Sequence, residues 1–345
     1  MIRVGIIGLG FGAAVHLPAF QGLPNVRVVA VAARRPEKAK EIAARYGIET
    51  AGTVDDVLEA SLDAVSIALP PALTAEAARN ALGHGFAVLA EKPLAESADR
   101  AEALARGARG CTTAVAFQFA ELECFRALKR LLPPSSLAQP ISAHVLWQTL
   151  SYAHRTRTWN WKTDRSQHGG VMNLLGSHVL YLLEWLLGPI AGLSAQFSNV
   201  ATQAFAPHGA QPAEDTATIS GVTVGGGRLH IELSNAAVDR HSQCWTFALD
   251  AEQLVIEAPP GEAFGPLSLV RKLRGRREVL VPPESSAESD LRFEPFRRLA
   301  GRFVAAVQQR EPCVPDFSAG ARVQRLLETV ARSALTGGTM LWVEP

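Results

Sequence analysis

Through residues 1–120, short apolar runs alternate with longer stretches whose apolar positions recur every three or four residues. The short runs Ile2–Ile7, Val26–Val31, Ala64–Ala68, Phe86–Ala90 and Thr113–Phe117 have strand length and strand-like composition. The stretches Gly12–Gln21, Pro36–Tyr46, Leu73–Gly83 and Ser97–Arg106 read as helices between them. Pro36 suits a first helical position, and Gly47 a helix stop. Such alternation predicts parallel strands with right-handed crossovers, a doubly wound α/β sheet.

After Glu121 the pattern changes. A helix over Cys124–Leu132 is expected to end at Pro133-Pro134. Strands are expected at Ile141–Leu150, Leu193–Val200, Thr216–Val222, Arg228–Leu233 and Trp245–Leu249, with a hairpin at Gly225-Gly226-Gly227. Helices are expected over Gly170–Leu187, Glu294–Gln308 and Ser318–Leu335. Clustered strands with helices to one side predict an α+β domain with a mostly antiparallel sheet. The chain thus divides into domains over 1–120 and 121–345. The basic segment Arg271–Arg277 reads as a solvated hairpin edge.

Composition narrows the function classes. At 48% hydrophobic and 19% charged residues, the 345-residue chain is too apolar for disorder. No window holds the ~18 uncharged apolar residues of a transmembrane helix, so no membrane partner is expected. A net charge of +1 offers no field to recruit nucleic acid. Cys111, Cys124, Cys244 and Cys313 form no CxxC or CxxH pair. No metal site is therefore expected, and scattered thiols with no leader-like N-terminus suit the cytoplasm.

The chemistry begins at Gly8-Leu9-Gly10-Phe11-Gly12-Ala13, between the first strand and the first helix. In that setting G-x-G-x-x-G/A is a dinucleotide fingerprint. Gly8 would allow a tight turn, Gly10 the close approach of a pyrophosphate, and Ala13 close packing of helix on strand. The second strand ends in Ala33-Arg34-Arg35, with no acid to hold a ribose 2′-hydroxyl. Two arginines suit a 2′-phosphate, so NADP is expected, with NAD as the alternative. Leu69-Pro70-Pro71 and Glu91-Lys92-Pro93 follow later strands, at the carboxyl ends where open α/β sheets bind ligands. In the second domain, His178 lies on the apolar stripe of the long helix, behind Gly169-Gly170 and downstream of Trp159, Trp161 and Lys162.

In this order, GIIGLGFGAAVH, ALPPAL, AEKPLAES and WNWK…HGG…GSH…WLLG resemble the Gfo/Idh/MocA oxidoreductases. The resemblance covers nearly the whole chain. It implies an N-terminal Rossmann domain and a C-terminal domain whose open antiparallel sheet often forms a dimer interface. A homodimer or homotetramer is therefore expected, paired through an apolar outer sheet face. Family members mostly oxidise or reduce hydroxyl or carbonyl carbons of sugars, cyclitols and related polyols with NAD(P). Carried over, Lys92 would touch the nicotinamide ribose and the reacting oxygen, and His178 would be the general acid/base on that oxygen. Trp159, Trp161 and Lys162 would shape the substrate cleft. The family's usual acid four residues before the histidine is replaced by Leu174, and its histidine after the Pro-Pro element by Thr74. Asn173, five residues before His178, would lie well around an α-helix and substitute poorly. Two other readings therefore stand beside the dehydrogenase: a non-catalytic NADP-binding sensor, and cofactor-assisted glycoside cleavage on the same scaffold.

Overall fold

The computed structural model describes residues 1–132, 141–239, 241–262, 265–284 and 290–344. The expected helix stop at Pro133-Pro134 lies outside them. Two compact units result, one of Met1–Glu121 with Glu288–Gln324, the other of Leu122–Ala287 with Arg325–Pro345. The sequence reading placed all of 121–345 in the second domain, whereas residues 288–324 fold with the first unit. The reason is a core they complete.

In the first unit the strands are β1 (Ile2–Ile7), β2 (Val26–Ala32), β3 (Thr50–Gly52), β4 (Ala64–Ile67), β5 (Ala87–Ala90) and β6 (Thr113–Val115). They form one parallel sheet in the order β3-β2-β1-β4-β5-β6. Helices α1 (Leu17–Gln21), α2 (Pro36–Tyr46), α3 (Val54–Leu58), α4 (Pro71–Gly83) and α5 (Ala98–Gly107) connect them. The α2 helix starts on Pro36 and stops at left-handed Gly47. The sequence reading passed over β3 and α3, which are three and five residues long and too short to show a period.

The strands of the second unit are β7 (Ser142–Gln148), β8 (Ile190–Ser198), β9 (Thr216–Thr223), β10 (Arg228–Ser234), β11 (Ser242–Ala248), β12 (Gln253–Glu257), β13 (Ser268–Leu273), β14 (Arg276–Val281) and β15 (Leu341–Trp342). Its nine-stranded sheet runs β14-β13-β12-β11-β7-β10-β9-β8-β15. Every pairing is antiparallel except β7 with β10. Its helices include α6 (Glu123–Leu131), α7 (Tyr152–Thr156), α8 (Ser177–Leu187) and α9 (Val200–Gln203). Gly225-Gly226-Gly227 turns β9 into β10, and β14 is the edge strand of a basic hairpin, both as the sequence implied. Glu252, Glu257 and Glu278 pair with Arg271, Lys272 and Arg277 along that edge.

Strand alternation decides which sheet face is covered. Val145 and Trp147 of β7, Ile231 and Leu233 of β10, and Trp245 and Phe247 of β11 are buried. Phe125 of α6 meets Trp245 edge-on at 5.1 Å, and Lys129 donates to the Trp185 carbonyl, tying α6 to the end of α8. The opposite face carries Ser142, His144, Thr218, Ser220, His230, Glu232, Cys244 and Thr246. An apolar outer face is therefore not what forms: alternation identified the buried positions, and polar side chains dominate between them, with Leu146, Val222 and Val255 as apolar members of the same face.

The last helices are α10 (Phe293–Gln309) and α11 (Phe317–Leu335). Phe296, Leu299, Ala300 and Phe303 of α10 join Phe20, Leu17 and the strand residues Val4, Ile6 and Leu89 in one buried cluster. Arg302 and Arg298 also bind Glu121, through its carboxylate and its carbonyl respectively. The stretch Arg165–Leu187 is long and apolar enough to cross a membrane by length and composition, but 72% of its apolar 18-residue window is buried in the protein. From Gly170 to Leu187, Glu184 is its only acidic or basic side chain apart from His178. All four cysteines are free.

Candidate active site

In the first unit the sequence-predicted segments gather at the carboxyl ends of adjacent strands. The Gly8 amide donates to the Ala32 carbonyl at 2.9 Å, the Ala68 amide to Ile7, and the Glu91 amide to Ile67. These bonds bring the cradle, Ala33-Arg34-Arg35, Leu69-Pro70-Pro71 and Glu91-Lys92-Pro93 to one edge of the sheet.

The glycines have separable roles. Gly8 has φ +96°, and a Cβ there would lie 2.3 Å from the Ala68 carbonyl oxygen. Gly10 faces open space, with nothing within 4 Å of a Cβ. A Cβ at Gly12 would meet Ala68 Cβ at 3.2 Å and Ile6 Cγ2 at 3.3 Å. Close packing of helix on strand therefore falls on Gly12 as well, beside half-buried Ala13, which packs against the same core. Residues Gly12–His16 form a π-turn, in which the Leu17 amide bonds the Gly12 carbonyl five residues back.

That turn delivers His16, which the sequence reading gave no role. It is fully buried, with Nδ1 2.9 Å from Ser66 Oγ and Nε2 3.2 Å from Glu91 Oε1. Its ring stacks on Phe296 at 4.0 Å and meets the Phe11 ring edge-on at 5.5 Å. Arg292, whose guanidinium makes two bonds to Asp290, lies over the Phe11 ring. The cradle, β4 and the Glu91-Lys92-Pro93 segment are thus joined through one imidazole. No local pattern marks these partners, which are 50 and 75 residues away in sequence.

Arg34 and Arg35 are exposed and make no ion pair among the described residues. The Pro70-Pro71 pair starts α4, and buried Thr74 spends its hydroxyl on the carbonyls of Leu69 and Pro70. Gln118, just after β6, is 3% exposed with no hydrogen bond to its Oε1 among the described residues. A buried amide with an unused acceptor at the ligand-binding edge of a sheet is a functional signal that sequence alone does not carry.

In the second unit, Asn160 caps a short turn over Trp161–Thr163, where Trp161 is half-buried and Lys162 lies over its ring. Trp159 is half-buried beside them. The Gly170 amide donates to the Lys162 carbonyl, and a Cβ at Gly169 would lie 2.5 Å from the Trp161 carbonyl. This packing sets the Trp159–Lys162 segment against the start of the helix that carries His178. Gly170 has φ +107°, and a Cβ there would strike the Glu214 carboxyl group, whose Oε1 accepts from the Met172 amide. Burial pushes the Glu214 carboxyl up to about 7, against the opposing effect of the Met172 amide.

The helix itself begins with a second π-turn, Met172–Gly176, in which the Ser177 amide reaches back five residues to the Met172 carbonyl. Five residues of a π-turn advance close to one full turn, against about 1.4 turns in an α-helix. The placing of Asn173 well around the helix from His178 assumed α geometry throughout, and the π-turn corrects it. Asn173 also bonds the His168 carbonyl and receives Ser177 Oγ at its own carbonyl. His178 is buried at 4% exposure, and Leu174 is only half-buried.

Two sequence profiles match the chain. One, an oxidoreductase family with an NAD-binding Rossmann fold, covers residues 2–118, and the other, the GFO/IDH/MocA C-terminal domain, covers 125–254. The chain is a Gfo/Idh/MocA oxidoreductase. An uncharacterised oxidoreductase of Synechocystis sp. is 27% identical over 95% of this chain and 92% of its own length. Levoglucosan dehydrogenase of Pseudarthrobacter phenanthrenivorans is 26% identical over 57% of this chain, which spans about half of that relative, 54%. Among solved structures, an NAD-binding oxidoreductase from Klebsiella pneumoniae superposes with a TM-score of 0.84 at 22% identity, covering 100% of this chain and 99% of its own. Levoglucosan dehydrogenase with NADH also gives 0.84, at 20% identity over 99% of each chain. As a Gfo/Idh/MocA protein, this chain is an oxidoreductase with an NAD-binding Rossmann fold.

Proposed function

We propose that this chain is an NADP(H)-preferring dehydrogenase that interconverts a secondary hydroxyl and a carbonyl on a sugar, cyclitol or related polyol. The observation that carries this reading is the open space at Gly10, between a left-handed Gly8 and a Gly12 packed on Ile6 of β1 and on Ala68. A backbone cleared at that one position suits a pyrophosphate at a helix start. Exposed, uncommitted Arg34 and Arg35 at the end of β2 favour a 2′-phosphate.

When bound, the nicotinamide group accepts or supplies hydride. In the direction of oxidation, His178 takes the hydroxyl proton of the substrate as the carbonyl forms, and the Lys92 ammonium stabilises the negative charge growing on that oxygen. Trp161 and Trp159 offer ring faces to the C–H surface of a sugar, with Lys162 for a hydroxyl or acid group. A homodimer or homotetramer working in the cytoplasm completes the proposal.

The deciding experiment follows reduced-nicotinamide absorbance with NADP and NAD against sugars, sugar acids, cyclitols and nucleotide sugars. Turnover of a polyol is expected, with Lys92→Ala and His178→Ala each cutting kcat by about 10²–10⁴. Cofactor binding without turnover across the panel would favour a sensor. Release of an aglycone without net redox change would favour glycoside cleavage.

A further inference from the structure

The open face of the nine-stranded sheet carries a cluster that the proposed dehydrogenase chemistry does not use. Strands β7 and β10 are adjacent and parallel, and their register sets His144 directly beside His230. Glu232 lies two residues along β10, on the same face. The imidazole centroids are 5.0 Å apart. His230 Nε2 is 3.1 Å from Glu232 Oε1, and His144 Nε2 is 3.6 Å from that same oxygen. One ligand atom from each of the three residues falls within a 4.8 Å group.

An ordinary ion pair accounts for one imidazole at this carboxylate and leaves the second unexplained. Protonating both rings would place two like charges side by side. A cation held by two neutral imidazoles and a carboxylate removes that conflict. Bonds of about 2.0–2.1 Å in a tetrahedral zinc site separate neighbouring ligand atoms by roughly 3.3 Å, between the two distances observed. Cross-strand neighbours of the three residues on β9 and β11 are Ser220, Thr218 and Thr246, all uncharged. Arg228, two residues back along β10, is the nearest cation on that strand's open face. Both strands are internal to the sheet, so the backbone under the cluster is fixed on each side.

We propose that His144, His230 and Glu232 bind a divalent transition-metal ion of the zinc type, with water completing its coordination. The proposal goes beyond the dehydrogenase reading and is tested without it. Untagged full-length protein, stripped with chelator, is titrated with Zn²⁺ by calorimetry at pH 7.5. One site of micromolar or tighter affinity is expected. Binding should be lost in H144A/H230A and fall at least ~10-fold in E232Q. The histidine side chains are about half exposed, so the metal-free unfolding midpoint of the variants should match the parent. H230N serves as a milder second variant. Zinc binding unchanged in H144A/H230A and H230N, or no one-site binding in the parent below ~100 µM, overturns the proposal.

Discussion

Replacing His16 with leucine tests whether one imidazole holds the first unit's ligand-facing segments together. Leucine keeps an apolar side chain in the core and deletes both ring nitrogens. Ser66 is 0% exposed, so its hydroxyl is left without the 2.9 Å partner it now has. A buried polar group stranded in this way costs about 1–3 kcal/mol. The Glu91 side chain is 13% exposed and can turn partly to water, so its loss should be smaller, about 1 kcal/mol. The stack on Phe296 adds about 0.5–1 kcal/mol. Together these predict a loss of roughly 2–5 kcal/mol, read by urea denaturation with circular dichroism. Ser66→Ala alone should cost less, because the bond to Glu91 survives. The double variant should then show a coupling of at least ~0.5 kcal/mol. Since Glu91 adjoins Lys92, His16→Leu should also lower kcat more than it raises KM. A loss under about 1 kcal/mol, or strict additivity with Ser66→Ala, would show that the imidazole is mere filling.

Other consequences can be checked in the same way. Gly10→Ala should leave the unfolding midpoint within about 0.5 kcal/mol of the parent while weakening dinucleotide binding, whereas Gly8→Ala should lose stability outright. The reverse order in a paired thermal and calorimetric measurement refutes the assignment. Arg34→Ala with Arg35→Ala should weaken NADP binding by about 1–3 kcal/mol and spare NAD, and equal losses would contradict the 2′-phosphate role. Glu214 has its folded value raised from 4.5 to about 7. Between those values the folded state holds the proton and the unfolded state has released it, so stability falls as pH rises through that window. Glu214→Gln should therefore gain up to about 3 kcal/mol over the parent at pH 8 relative to pH 4, and parallel pH profiles for the two proteins would refute it.

Most of the parallel sheet was legible because its strands are short apolar runs separated by helices with clear periods. The bounds of β1 and α2 agree with the sequence reading residue for residue. Strand β12 has no sequence signal of its own, and β13 and β14 show only as the basic hairpin edge over Arg271–Arg277; β14 shows why. It is the edge strand, its residues are largely exposed, and it has little apolar alternation to detect. The return of α10 to the first unit was illegible for another reason. Its apolar stripe announces that it packs, but long-range topology decides that Phe296 meets His16 and Phe20. The candidate cofactor segments stand out in the sequence because each follows a strand of the parallel sheet. Gln118 could not, since an unused buried acceptor exists only once the chain has folded. The His144–His230 pair depends on the register of two strands 86 residues apart and has no local signature.

The two π-turns connect what was legible to what was not. A helical wheel counts in steps of 3.6 residues, so it assigns partners three and four positions away. Each helix that carries a candidate functional histidine begins instead with a turn closed five residues back. The extra residue shifts everything beyond it by about 100° relative to everything before it. In the first helix this lets Gly12 press against Ala68 while His16, four residues later, reaches Ser66 and Glu91. In the second it brings Asn173 back toward the side of the helix on which His178 lies, although α geometry would separate them. Wide turns of this kind weaken the regular hydrogen-bond ladder, so their persistence asks for compensation from tertiary contacts. Those contacts are present at both sites: the His16 bonds and the Phe296 stack in one unit, and Glu214 beneath Gly170 and Met172 in the other. The residues that stabilise the π-turns are thus the same ones that aim the candidate chemistry. For that reason leucine in place of the acid at position 174 does not settle whether His178 has an orienting partner. That partner must be sought through the π-turn register, where Asn173, rather than position 174 alone, is within a turn of the histidine.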